Sequence, residues 1–150
     1  MSAVVAFLHH LAAFALVAAV VVEFVLTRGE ITATDARRIV AADAVLGATA
    51  GTLLAVGLLR VFFFEKGAAY YWSSGPFLAK LATFVILAIL SIYPTREFLS
   101  WRAALRAGQA PALDPSRVAR IRSRLHWEII GIVAILLFAA LMARGIGTLW

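Results

Sequence analysis

Four long apolar stretches, roughly Ala3–Thr27, Ala36–Phe64, Pro76–Tyr93 and Trp127–Ala143, occupy most of this 150-residue chain. Each reaches the ~17–20 residues that a helix needs to cross about 30 Å of hydrocarbon. Continuous Ala/Val/Leu character without period-2 alternation predicts helices rather than strands. With 63% of residues hydrophobic, no ordinary aqueous surface could be built, and a lipid solvent removes that difficulty. The expected fold is all-α: a polytopic membrane protein forming one four-helix bundle, with no room for a second domain. The first stretch lacks the basic flank of a secretory signal and is too long for its apolar core, so it is expected to stay as a helix.

Charge supplies the topology. Ten of the fourteen basic residues fall between Arg28 and Arg38 or between Arg96 and Arg124, leaving Arg60, Lys66, Lys80 and Arg144 for the opposite side. By the positive-inside rule the ten-residue side is cytoplasmic, and both termini lie outside a bacterial inner membrane. The net charge of +6 is then explained by topology and by contact with anionic lipid, not by nucleic acid. Zero Cys excludes disulfides, thiolate metal sites and covalently attached c-type haem.

Local signals mark the helix ends. Thr32-Ala-Thr-Asp35 has the form of a capping box, and Asp114-Pro115 places an N-cap acid before an N1 proline. Pro94 is expected to kink or end the third span, with Thr95–Arg106 continuing as an amphipathic helix near the headgroups and stopped by Gly108. Gly47 and Gly51 form a small-xxx-small pair that would permit close packing within the bundle or across a homodimer. Tyr70, Tyr71 and Trp72 read as an interfacial aromatic belt.

Ionisable residues inside a membrane are functional candidates because burying them is costly. On the outer side, His9, His10, Arg60 and Lys80 fall at matching depth, with Lys66 nearby. On the inner side stand Glu23, Asp43, Arg124, His126 and Glu128. His9 and Glu23 are fourteen residues apart, close to four turns, so they share a face. That face is expected to look inward, with His10 turned away by about 100°. The three inner acids are expected to pair with Arg38, Arg96 or Arg124, and His126 to be interfacial rather than a ligand. A proton relay through these acids is the alternative. At the outer cluster a b-type haem needs only one neutral imidazole, from His9 or else His10, with a sixth ligand from a second helix. Lys80 is the available amine, and Arg60 and Lys66 could neutralise the propionates. The chemistry would be one-electron transfer from a membrane donor such as quinol, or haem handling. A structural or accessory protein, or a small transporter without cofactor, is the alternative reading.

The string Leu8-His-His10, Glu65-Lys-Gly67 with Tyr70-Tyr71, Lys80, and Pro94-Thr95 with Phe98 and Trp101 resembles a bacterial family of small four-helix membrane proteins of unknown function. A second likeness is to HemJ-type protoporphyrinogen oxidases, through His9 or His10, Gly75-Pro-Phe-Leu-Ala-Lys80-Leu81, and Arg122 with Glu128. That resemblance implies b-type haem with the His and Lys important for it, although the His that follows the Lys-bearing span in many such sequences is absent here. Membrane proteins of the CopD type share a similar helical plan.

Overall fold

Each apolar stretch folds as a helix, and the second, third and fourth helices begin or end beyond their apolar cores. The computed structural model describes residues 2–64 and 71–147, with side chains described over 3–63 and 71–147. The helices are α1 (Ser2–Leu26), α2 (Ala33–Leu59), α3 (Gly75–Arg106) and α4 (Pro115–Ala143), with a π-helical turn Arg60–Phe64 extending α2. All four are long and apolar enough to span a membrane. Their outer faces are apolar: Phe14 is 75% exposed, and Val4, Ile89 and Val133 also point outward. Such a surface is stable against lipid and not against water.

α1 packs chiefly on α2 and α3 on α4, and the two antiparallel pairs dock through α2 with α3 and α1 with α4. At one end, the arginine-rich end, the loops that join α1 to α2 and α3 to α4 lie together. Around them Ile39, Phe98, Ile121 and Leu125 form an apolar layer with almost no exposed surface. A second layer of Ala19, Val20 and Leu46, with Leu16, Ile129 and Ile132, lies deeper in the bundle. A third, of Val61, Tyr71 and Phe77, closes the opposite end.

The helix ends follow the sequence signals. Thr32 and Asp35 make the reciprocal capping box, with Asp35 N–H donating to Thr32 Oγ1 at 3.1 Å and Thr32 N–H to Asp35 Oδ2 at 3.3 Å. Asp114 caps α4 by accepting from Ser116 N–H at 2.8 Å, and this bond holds its carboxyl below the usual carboxylate range. Gly108 ends α3 at φ +74°, where the Gly108 and Gln109 amides donate to the carbonyls of Leu105 and Ala104. That is a Schellman closure, and Gly145 repeats it after α4 with amide bonds to Met142 and, from Ile146, to Leu141.

Three expectations are corrected. Pro94 does not end α3, which continues through Thr95–Arg106 and is stopped by Gly108. The reason is tertiary: Phe98 and Trp101, one and two turns beyond the proline, are buried in the apolar layer with Val118 and Ile121 of α4, which holds the extension against that helix. Gly47 and Gly51 do not carry close packing within the bundle; both are exposed, and a Cβ at either would meet nothing within 4 Å. Tyr71 is buried against Phe77 at a ring distance of 5.2 Å instead of joining a belt, whereas Trp72 is exposed. Tyr70 lies outside the described residues.

Close helix approach is instead made at Gly131, where an added Cβ would lie 2.5 Å from Leu87 Cδ2. Gly131→Ala should therefore destabilise the protein by about 1–3 kcal/mol through overpacking. Leu87→Ala in the Gly131→Ala background should recover part of that loss. Denaturation of the detergent-solubilised variants by SDS checks both, and additive losses in the double variant would contradict the contact.

Candidate functional site

The inner acids that the sequence places near a boundary are brought together inside the bundle. Glu23 comes from α1, Asp43 from α2 and Glu128 from α4, with 0%, 6% and 2% of their surfaces exposed. α3 contributes two hydroxyls one turn apart on its inner face. Thr95 Oγ1 donates to Asp43 Oδ1 at 2.6 Å, and Ser91 Oγ donates to Glu128 Oε1 at 2.9 Å. All four helices thus supply the node. The apolar layer around Phe98 and Leu125 closes it towards the arginine-rich end, and the layer around Val20 and Leu46 closes it from the other side.

The expected partners are not used. Among the described residues none of the three acids has an arginine within ion-pair distance. Arg38 pairs instead with Asp35 at 3.8 Å, and Arg117 with Glu97 at 3.5 Å. Arg124 lies over the Tyr93 ring, 5.9 Å from its centroid. Arg102 and Arg124 act on Asp43 and Glu128 only as more distant charges. Glu23 has neither an arginine nor a donor: both carboxyl oxygens are buried without a hydrogen-bond partner, in the field of Asp43 and Glu128. Among the described residues no group of His, Asp and Glu is close enough to hold a metal ion.

The hydroxyls are what sequence reasoning missed. Thr27, Thr49, Thr52 and Thr83 each donate to the carbonyl four residues back in their own helix, the usual outcome for a hydroxyl in an apolar helix. Ser91 and Thr95 cross to another helix instead. Their i, i+4 spacing on a span that faces two acids was the available signal.

At the opposite end, His9 faces α2 as expected. Its ring lies against Gly57, with Cε1 3.4 Å from where a Cβ would stand, and its Nδ1 is buried without a partner. His10 is exposed, with Nδ1 2.7 Å from the Ala6 carbonyl oxygen. Arg60 and Lys80 are close enough for their charges to act on His9, so three of the predicted residues converge. Lys80 also lies over the Phe77 ring, 5.5 Å from its centroid. Lys66 lies outside the described residues. His126 is exposed and packs against Phe24 and Trp127. A groove of about 410 Å³ lined by Glu97, Trp101, Asp114 and Arg117 lies at the arginine-rich end, the end opposite His9.

A lipid-facing apolar exterior, four spanning helices and buried acids define an integral membrane protein of the small four-helix class. Over residues 1–147 the chain matches the family model described as Predicted membrane protein (DUF2214), and it belongs to that family. No curated protein and no solved structure matches it, so the likeness to HemJ-type and CopD-type proteins finds no support.

The hydroxyl bonds give the node a measurable stability. Thr95→Val leaves Asp43 without its donor, at a cost of about 1–3 kcal/mol. Thr95→Ser restores the donor and should recover most of that loss in SDS titrations. A larger loss in Thr95→Ser than in Thr95→Val would mean that Thr95 contributes packing and not the hydrogen bond.

Proposed function

We propose that this protein is a small proton-handling membrane carrier whose working group is the Glu23–Asp43–Glu128 node. The observation that carries this reading is that carboxyls from three helices and hydroxyls from the fourth converge inside the bundle with no ion-paired arginine among the described residues. A single ionised side chain at the centre of a membrane helix costs about 2.5–3.5 kcal/mol on insertion scales. A purely structural bundle would be selected to remove three acids or to pair them. Apolar layers on both sides make the node occluded, which suits a carrier that opens to one side at a time better than an open channel. In this reading the arginine-rich end faces the cytoplasm of a bacterial inner membrane and both termini face outward.

Purified protein reconstituted into vesicles with an internal pH-sensitive dye tests this. A potassium gradient with valinomycin drives protons inward, and the protein should accelerate acidification over empty vesicles. Asp43→Asn and Glu23→Gln should each abolish the gain. Acidification no faster than in empty vesicles, or undiminished in both variants, would sink the reading.

A second reading is favoured by one observation, the buried and unpartnered Nδ1 of His9. Here a b-type haem would be held at the end opposite the arginine-rich one, with His9 as axial ligand. Lys80 would serve as sixth ligand or, with Arg60 and Lys66, as a partner of the propionates. The haem would supply one-electron chemistry with a quinol-type donor, in a monomer or a homodimer. Against it stands the seating of the His9 ring on Gly57, in a seam where α1 and α2 already touch. Protein purified after growth with a haem precursor should then show a Soret band that shifts on dithionite reduction and is lost in His9→Ala. A flat visible spectrum from folded protein would remove this reading.

A further inference from the structure

The three acids of the node are not equivalent. Asp43 accepts a hydrogen bond from Thr95 at 2.6 Å and stands in the field of Arg102. Glu128 accepts one from Ser91 at 2.9 Å and stands in the fields of both Arg124 and Asp43. Each of these two therefore has a hydroxyl donor and a distant positive charge that Glu23 lacks. Among the described residues, Glu23 has no surface exposed, accepts nothing at either oxygen, and has as its charged neighbours the carboxyls of Asp43 on α2 and Glu128 on α4. Three negative charges gathered in a medium of low dielectric repel one another strongly, and a bound proton is the simplest way to relieve the crowding. A neutral carboxylic acid is also the form whose burial without partners costs least.

We infer that Glu23 is the proton-binding residue of the node, a neutral carboxylic acid at rest, while Asp43 and Glu128 are the two acids already engaged by the α3 hydroxyls. This deepens the carrier reading and rests on it for its functional meaning. The ligand is the proton itself, and the division of roles follows from which acids the α3 hydroxyls reach. Ser91 and Thr95 are positioning residues: by occupying Glu128 and Asp43 they leave Glu23 as the acid with no other partner.

Infrared spectroscopy of the full-length protein in lipid at neutral pH tests the assignment. A protonated carboxyl gives a C=O band above the amide region, which ionised surface acids do not. The wild-type protein should show one such band, and it should shift down in D₂O. Carboxyl-¹³C glutamate should move it and carboxyl-¹³C aspartate should leave it in place, with no substitution needed. Glu128→Gln should retain the band and Glu23→Gln should lose it. Absence of the band, movement with the aspartate label, or loss in Glu128→Gln would each overturn the assignment. The two proposals fail separately. A Glu23 band in a protein that moves no protons removes the carrier and keeps the assignment, whereas proton flux with the band on aspartate does the reverse.

Discussion

A polar group inside a bilayer has only the protein to partner it, and this bundle is organised by how far it meets that demand. The backbone meets it through helices. Most span hydroxyls meet it through the carbonyl one turn earlier. The carboxyls cannot meet it locally, so they draw the four helices to a common point, with α3 turning Ser91 and Thr95 toward α4 and α2. Those two bonds cross different helix pairs and so fix rotation and depth together, which unspecific apolar packing would leave loose.

The apolar layers then have a second role besides packing. Between the arginine-rich end and the acids stand Ile39, Phe98, Ile121 and Leu125, all buried. The extension of α3 past Pro94 and the early start of α4 at Pro115 exist to build this layer. Glu128 is therefore more than three turns inside its helix, although it is only one residue inside the apolar stretch visible in the sequence. Depth in this protein is set by where helices begin, not by where hydropathy rises.

That distinction separates what the sequence made legible from what it did not. The four spans, both caps and the inward turn of His9 relative to His10 were readable, because each depends on local chemistry or on the 3.6-residue period. The continuity of α3 was not, since it depends on Phe98 and Trp101 meeting partners on α4. Nor were the helix contacts at glycine. Gly47 and Gly51 have the spacing of a packing motif yet face outward, while the isolated Gly57 and Gly131 receive His9 and Leu87. Spacing says which residues share a face and leaves open what that face meets. The acids followed the same pattern: their residue types flagged them, but the hydroxyls that partner two of them and pass over the third are a tertiary property.

Arg122 of α4 donates to the carbonyl oxygens of Thr27 and Gly29, at the end of α1, across 95 and 93 residues of chain. The carbonyls of Glu23, Phe24 and Val25 in the last turn of α1 are met locally by Thr27 and Arg28, so Arg122 serves the turn just beyond the helix. Arg122 therefore ties the exit of α1 to α4, and the turn that leaves the first helix keeps its place only while α4 stands beside it.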